Sequence, residues 1–300
     1  MSRNVAAIDL GTNTARLLIA QTHPFRQILL QRVITRLGGG FTREEGLSAA
    51  ARARALAALT QFAAEIRAAG VERVRAVATS AVRDAANGAE FCRSALEETG
   101  ISLEVIDGDE EARLTLQGVI SSLDDGAGDL SVFDIGGGST EYTLAQGGSV
   151  LFSRSLPIGV VRLTEGKSGV VAMEDKIGRE LDRLKRDLER EGMVERFAAG
   201  TLIGTAGTAT TLAAVQMQME DYDYRKVNNF VLGLAEIEAI YRRLLPLAPA
   251  ERLEVPGLEP GREDLIISGI LITIITMRLF GFTRMKVSDS GLLEGLALEL

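Results

Sequence analysis

The chain has 300 residues, of which 46% are hydrophobic and 25% are charged, and its formal net charge is −8. This composition excludes a disordered protein, and the length suits two globular domains of ordinary size. The single cysteine, Cys92, excludes an internal disulfide and a multi-cysteine metal site, and the single histidine, His23, leaves little basis for histidine-dependent chemistry.

Neither the N-terminus nor the most apolar segment of the chain indicates secretion or membrane insertion. The N-terminus lacks the charged, apolar and small-residue regions of a signal peptide. The run Leu265–Met277 is interrupted by Ser268, Gly269 and Thr273 and is shorter than the ~20 residues of a membrane span. We therefore expect a cytoplasmic protein with no membrane partner, in which this run forms a buried helix.

Charge is distributed unevenly along the chain. Residues 1–83 contain twelve arginines and five acidic residues, whereas residues 84–300 contain 21 basic and 36 acidic residues. Two interpretations stay open for the basic part: solvated helix faces, or an arginine-rich wall that binds a polyanion. The acidic remainder argues against a duplex nucleic-acid partner.

The most informative pattern is a weak internal repeat. Segment 6–14, AAIDLGTNT, resembles segment 131–139, SVFDIGGGS, with Asp9 matching Asp134 and a glycine two residues later in both copies. Each copy is followed by another apolar-rich stretch, Leu17–Ala20 and Tyr142–Ala145, and with the periodicity of the later segments each half is predicted to have the element order βββαβαβα. The sequence therefore predicts two similar halves.

The predicted elements follow each copy of the repeat in turn. The first is followed by strand 27–34, helix 48–69, strand 74–79, helix 88–98, strand 103–106 and a helix that ends near residue 121. The second is followed by strand 149–155, helical segments to residue 191, strand 202–204, a helix from residue 208, helix 262–280, strand 285–288 and a closing helix. This order predicts an α/β fold of two tandem domains, each a mixed sheet flanked by helices, with a cleft between them.

The domain boundary is placed in the polar, glycine-containing stretch Ser121–Asp129. This gives a first domain of residues 1–123 and a second of residues 124–300. Packing of the closing helix, residues 290–300, against the first domain is left open.

Each copy of the repeat ends a strand with Asp-x-Gly, where glycine allows the chain to turn and successive backbone N–H groups to converge on an anion. Nearby hydroxyl groups are donors to phosphate oxygens, and Asp9 and Asp134 are candidate ligands of a hydrated divalent cation. An ordinary hairpin is the alternative for either loop taken alone. The candidate phosphate-binding residues are Gly11, Thr12, Asn13 and Thr14 in the first loop, and Gly136, Gly137, Gly138 and Ser139 in the second.

A third glycine-containing turn precedes the helix that begins near residue 208. Helix N-termini attract anions through exposed N–H groups and the helix dipole, and plain threonine capping is the alternative. The candidate residues in this turn are Gly204, Thr205, Gly207 and Thr208.

Three further residues have side chains suited to phosphate chemistry. Hydrolysis needs a carboxylate that orients or deprotonates water, and Glu110 and Glu111 are both candidates at the start of a predicted helix. Their alternative role is to complement the helix dipole. Arg83 follows a strand and has the planar guanidinium that binds phosphate oxygens in pairs, with a surface pairing to Asp84 as the alternative.

Together these motifs resemble the exopolyphosphatase / guanosine pentaphosphate phosphohydrolase (Ppx/GppA) family of the actin-like ATPase superfamily. The similar stretches are AAIDLGTNTARLLIA, ATSAVRDAAN, DGDEEARLTLQGV, DIGGGSTEY, SLPIGVVRLTE, GTAGTATTLAA and VSDSGLLEGL. The resemblance implies actin-like (ribonuclease H-like) domains, a homodimer, dependence on Mg²⁺ with Mn²⁺ as a second ion, and removal of a terminal phosphate from polyphosphate or guanosine pentaphosphate.

The resemblance also implies roles for individual residues. Glu111 is similar to the catalytic carboxylate that activates water, and Asp134 and Glu141 are similar to ligands of metal and water. The two repeat loops and Arg83 would bind the phosphates, and the third turn would line the far side.

Two departures from the family pattern modify these expectations. The chain ends after VSDSGLLEGL, where longer members continue into a helical domain, so short chains are the expected substrate. Leu293 stands where the family usually has arginine, so loss of a polar contact is expected there. A kinase of the same superfamily, and a non-catalytic sensor of guanosine tetra- or pentaphosphate, stay open as alternative functions.

Overall fold

The structure is a computed structural model, and it describes residues 4–22, 24–42, 44–125 and 128–300. His23, Gly126 and Ala127, which were considered above, lie outside the described residues. The chain forms two compact units: unit 1 contains the residues up to Gly118 together with Leu292–Leu300, and unit 2 contains Val119–Gly291. The division falls before the polar stretch that the sequence suggested as a boundary. The cleft expected between the units stays a prediction.

Unit 1 is built on a five-stranded mixed sheet with the strand order β3-β2-β1-β4-β5. Strands β1, β2 and β3 are antiparallel neighbours, whereas β4 runs parallel to β1 and β5 runs parallel to β4. The elements are β1 (Asn4–Leu10), β2 (Thr14–Thr22), β3 (Phe25–Ile34), α1 (Ala49–Ala68), β4 (Arg73–Ala78), α2 (Ser80–Arg83), α3 (Gly88–Thr99), β5 (Leu103–Val105) and α4 (Gly108–Ser122), of which residues 119–122 belong to unit 2.

Unit 2 repeats this arrangement in a six-stranded sheet with the order β10-β11-β9-β6-β7-β8. Strands β6, β7 and β8 are antiparallel, and β9 and β11 continue the sheet in parallel. The elements are β6 (Asp129–Ile135), β7 (Thr140–Gln146), β8 (Ser149–Leu156), α5 (Val160–Gly166), α6 (Val170–Arg190), α7 (Val194–Ala199), β9 (Thr201–Thr205), α8 (Ala206–Gln216), α9 (Tyr224–Val227), β10 (Val231–Gly233), α10 (Leu234–Leu244), α11 (Pro249–Arg252), α12 (Ile266–Phe280) and β11 (Arg284–Val287).

The predicted fold class, two α/β halves that each contain a mixed sheet flanked by helices, is confirmed. Strands β3, β2, β1, β4 and β5 of unit 1 correspond in order and direction to β8, β7, β6, β9 and β11 of unit 2. Strand β10, which pairs antiparallel with β11, extends only the second sheet. It belongs to a stretch in which the sequence predicted no elements.

The last helix, α13 (Leu292–Leu298), belongs to unit 1 and covers one face of its sheet. Side chains of β1 alternate between two apolar clusters: Ile8 packs towards α1, and Val5 packs towards α13. Leu293 lies in the α13 cluster and is 1% exposed. Leu293 therefore makes buried apolar contacts within unit 1, and the expected loss of a polar contact there stays a prediction.

The predicted apolar helix is also confirmed, as α12 in the core of unit 2. Its side chains are buried almost all round, and it ends at Gly281, which has a φ of +78°. A left-handed residue at this position closes the helix, and glycine adopts it without a Cβ penalty. Within the described part of the chain, none of the helices has the length and apolar character needed to span a membrane.

Candidate active site

The two Asp-x-Gly loops form the same turn in their respective units. In unit 1 the N–H of Gly11 donates to the carbonyl oxygen of Thr14 at 2.9 Å, and in unit 2 the N–H of Gly136 donates to that of Ser139 at 3.0 Å. Each loop joins the first two strands of its sheet. The internal repeat of the sequence is thus a repeat of backbone structure at the proposed phosphate sites.

The first loop is supported by the segment that follows β3. The N–H groups of Thr35 and Arg36 donate to the carbonyl of Asn13 at 3.0 and 2.8 Å, and the N–H of Gly38 donates to that of Thr12 at 2.8 Å. A Cβ on Gly38 would lie 2.3 Å from the Thr12 methyl group. Sequence reasoning missed this support, whose only signal was the run of three glycines at 38–40.

The second loop is supported by the start of α5. The N–H groups of Val160 and Val161 donate to the carbonyls of Gly136 and Gly137 at 3.0 and 2.9 Å. Among the described residues, no backbone carbonyl accepts a hydrogen bond from the N–H groups of Gly137 and Gly138. With its carbonyls bound on one side, the loop has N–H groups available for an anion.

The residue opposite the strand-end aspartate has opposite charge in the two units. Asp9 pairs with Arg16 across β1 and β2, and Asp134 pairs with Glu141 across β6 and β7. The Arg16 guanidinium donates to Asp9 Oδ2 from Nη2 at 2.6 Å and from Nε at 3.0 Å. Asp9 therefore has an arginine as its cross-strand partner, whereas in unit 2 this position holds a second carboxylate.

Asp134 and Glu141 suit a hydrated divalent cation. Glu141 is 3% exposed, and its Oε1 accepts a hydrogen bond from Ser155 Oγ at 2.7 Å. Within the part of the chain that the structure describes, no cluster of three or more histidine, cysteine or acidic residues forms a full ligand cage. Mg²⁺ typically binds through one or two carboxylates and retains water or phosphate oxygens, so this donor set fits it. Asp9 as a ligand stays a prediction.

Glu111 and Arg83 come together in unit 1. Glu111 lies in the first turn of α4 and is 8% exposed. The Arg83 Nη1 group donates to the Ile106 carbonyl at 2.9 Å and to Glu111 Oε2 at 3.4 Å. Arg83 Nε lies 4.0 Å from Asp84 Oδ1, so the alternative surface pairing is the weaker contact.

The two adjacent glutamates of α4 have different surroundings. Glu110 accepts hydrogen bonds from Arg113 at 2.8 Å and from Arg75 at 3.1 Å. The hydrogen bond from Arg113, followed by that from Arg75, lowers the pKa of Glu110 to about 2. A carboxylate this acidic is a poor proton acceptor at neutral pH, so Glu111 is the better candidate base.

The third turn joins β9 to α8 and is tightly constrained. Ala206 has a φ of +61°, a strained conformation for a residue with a side chain. A Cβ on Gly207 would lie 1.5 Å from Arg262 Nη1, so the guanidinium lies directly against the start of the helix. The Thr205 hydroxyl donates to the Ser290 carbonyl at 3.1 Å, and Thr208 packs against Gly269.

Arg16 and Arg262 are the basic residues at these loops that sequence reasoning missed. Arg16 lies as far after Asp9 as Glu141 lies after Asp134. Extending the repeat alignment by two residues would therefore have found it. Arg262 comes from a distant segment, and the contact with Gly207 depends on the tertiary fold.

Known proteins are similar to this chain over nearly its whole length. The model of the Ppx/GppA phosphatase family matches residues 18–300. Exopolyphosphatase 2 of Mycobacterium tuberculosis is 34% identical over 316 residues, which cover 99% of this chain and 98% of the relative. The bifunctional 3-dehydroquinate synthase/phosphatase of Fusobacterium nucleatum is 35% identical over 98% of this chain, which spans only 46% of that longer protein.

Solved structures agree with these sequence matches. The PPX-GPPA enzyme of Aquifex aeolicus has a TM-score of 0.81 and 34% identity, with 99% of each chain covered. An exopolyphosphatase from Cytophaga hutchinsonii has a TM-score of 0.88 and 27% identity, and the match covers 98% of this chain and 96% of the other. The two-unit architecture is therefore shared by these proteins.

Proposed function

Because this chain belongs to the Ppx/GppA phosphatase family, we propose that it is a metal-dependent exopolyphosphatase that releases terminal orthophosphate from short inorganic polyphosphate. The observation that carries this proposal is that two neighbouring carboxylates have different surroundings. Two arginines form ion pairs with Glu110 and balance its charge, whereas Glu111 is buried beside Arg83 and suits the role of base.

The proposed reaction is an in-line attack of water on the terminal phosphorus. Glu111 orients the water and accepts its proton as the new P–O bond forms. The bond from this phosphorus to the bridging oxygen breaks, and that oxygen keeps the electron pair on the shortened chain. The products are orthophosphate and a polyphosphate that is shorter by one unit.

The phosphate oxygens are proposed to be bound by backbone and side-chain donors of each unit. In unit 2 these are the N–H groups of Gly137 and Gly138 and the hydroxyl of Ser139, and in unit 1 they are the hydroxyls of Thr12 and Thr14 with Arg83. Charge-assisted hydrogen bonds from arginine to phosphate are among the strongest available to a protein. Each set of donors is proposed to bind phosphate oxygens at the loop of its own unit.

Asp134 and Glu141 are the residues proposed to hold Mg²⁺, for which Mn²⁺ is an alternative. When bound, the ion would offset the negative charge of the phosphate oxygens. Ser155 fixes one oxygen of Glu141, which directs the carboxylate before any ion arrives.

The test is orthophosphate release with Mg²⁺ from short polyphosphate, long polyphosphate and guanosine pentaphosphate in parallel. Glu111→Gln is expected to lower turnover by at least about a hundredfold without loss of fold, the usual scale for removal of a general base. Glu97→Gln, at an exposed position of α3, is the matched control and should retain activity.

The results with these substrates distinguish the proposed exopolyphosphatase from the alternative functions. Preferential release from guanosine pentaphosphate would assign the chain to nucleotide hydrolysis. Binding of that nucleotide with no release from any substrate would overturn the proposal in favour of a sensor, and transfer to an added sugar or acid would favour a kinase.

A further inference from the structure

Four charged side chains of unit 1 form a closed ring beside Glu111. Arg75 on β4 donates to Glu110 at 3.1 Å and to Glu299 at 2.5 Å. Arg113 on α4 donates to Glu110 at 2.8 Å and to Glu299 at 2.6 Å. This charged ring, Arg75–Glu110–Arg113–Glu299, links the sheet, the start of α4 and the residue that follows α13.

Helix α13 also contacts α4 through its backbone. A Cβ on Gly295 would lie 2.0 Å from the carbonyl oxygen of Leu114, so the two helices approach as closely as their backbones permit. Leu292 and Leu296 pack with Leu114 in one buried cluster. The position of Glu299 relative to α4 is thus fixed by packing, and its carboxylate is held at the ring.

The first turn of α4 depends on the ring for part of its restraint. The Asp107 carboxylate accepts hydrogen bonds from the N–H groups of Asp109 and Glu110 at 3.1 and 2.9 Å, as an N-cap residue does. Glu110 is three residues after Asp107, the position from which a glutamate often returns to the cap. Its carboxylate instead binds Arg75 and Arg113, which ties this turn to neighbouring elements.

Glu111 is the next residue of the same turn, so its backbone moves with that of Glu110. The contact between Arg83 and Glu111 is long for a hydrogen bond, at 3.4 Å, and directs the carboxylate only weakly. We propose that Glu299 is a positioning residue, which acts through the charged ring to fix the orientation of the Glu111 carboxylate. This inference rests on the proposed catalytic role of Glu111.

A purely structural role for the ring predicts a different outcome. Ion pairs between part-exposed side chains contribute modestly to stability, so Glu299→Gln should lower the melting temperature by at most about 3 °C. A purely structural role would therefore leave turnover unchanged at temperatures well below the melting temperature. A positioning role lowers kcat and spares KM, because the phosphate-binding residues are not disturbed.

The experiment compares Glu299→Gln in two backgrounds. In the wild-type background we expect kcat to fall about tenfold with KM within about twofold, since small misplacements of a catalytic group are costly. In the Glu111→Gln background we expect no further loss of the residual rate, because the group being positioned is gone. Glu238→Gln, which removes the pairing with Arg278 at 2.8 Å in unit 2, is the control and should retain full activity.

Hydrogen–deuterium exchange of the peptide spanning residues 107–114 gives a second measure that needs no turnover. Glu299→Gln is expected to speed exchange of this peptide at least about threefold, and Glu238→Gln should not change it. Equal loss of kcat in both backgrounds, or unchanged kcat, would overturn the inference.

The two proposals fail in distinguishable ways. Absence of phosphate release by the wild-type protein would refute the proposed function. The exchange measurement would then decide whether Glu299 restrains the first turn of α4, and unchanged exchange would overturn that as well.

Discussion

Replacement of Gly159 by alanine tests how the second phosphate loop is supported. The added Cβ would lie 2.3 Å from both the carbonyl carbon and oxygen of Gly137 and 2.4 Å from the carbonyl carbon of Gly138, whereas ordinary contact begins at 3.4 Å. The neighbours are backbone atoms, so the loop and the start of α5 must separate by about 1 Å. Overpacking of this kind typically costs about 1–3 kcal/mol of the free energy of unfolding.

The same displacement affects the proposed phosphate site. Separation lengthens the hydrogen bonds from Val160 and Val161 to the loop carbonyls, now 3.0 and 2.9 Å, and misplaces the N–H groups of the loop. A shift of about 1 Å is expected to lower kcat/KM by up to about a hundredfold. Urea unfolding and orthophosphate release measure the two effects separately.

The matched control is Gly166→Ala at the C-terminal end of α5, the helix that Gly159 precedes. A Cβ on Gly166 would meet no atom within 4 Å, so this variant should retain both stability and activity. If Gly159→Ala and Gly166→Ala had the same unfolding free energy and the same kcat/KM, the argument from close approach would be refuted.

Two further predictions concern stability. Gly178 lies inside α6 with open space around its Cα, so Gly178→Ala should raise the free energy of unfolding by up to about 1 kcal/mol in urea titrations, and any destabilisation would contradict this. The pKa of Glu110 is lowered from 4.5 to about 2, so its ion pairs stabilise the fold fully above pH 4.5 and the contribution is lost as pH falls towards 2. The shift corresponds to about 3 kcal/mol by linkage, which solvent screening at this part-exposed group reduces to about 1 kcal/mol, so the stability gap between wild type and Glu110→Gln should begin to close below about pH 4.5 and disappear near pH 2.

The sequence predicted most of the sheet architecture because the relevant signals are local. Strand β1 reads as an apolar segment that ends in Asp-x-Gly, and the recurrence of that pattern at β6 revealed the second half. The elements α2, α7, α9, β10, α10 and α11 were not predicted. Four of these six have only three or four residues, which is too short for periodicity to be read.

The partners of charged residues were less predictable, because they are distant in sequence. The arginine-rich beginning of the chain suggested either solvated helix faces or a wall for a polyanion. In the structure, Arg54 donates to the Thr35 carbonyl at 2.7 Å, and Arg52 pairs with Glu90 at 2.9 Å. Some of this positive charge is therefore used within unit 1, and no local pattern indicates which arginines are used in this way.

The choice between Glu110 and Glu111 shows the same limit. Both residues follow Asp107 at the start of a helix, and the residues alone left either as the base. The distinction arises first from Arg113, three residues after Glu110 in α4, and then from Arg75, which lies far from α4 in the sequence. The second of these partners is visible only in the tertiary structure.

The residue opposite the strand-end aspartate is basic in unit 1, where it is Arg16, and acidic in unit 2, where it is Glu141. In unit 1 the arginine forms an ion pair with the aspartate. In unit 2 two acids face each other across the strands, so on the proposed assignment the stability of this unit rises with the concentration of free divalent cation. Two halves with the same backbone plan would then differ in how strongly their stability depends on the divalent-cation content of the cell.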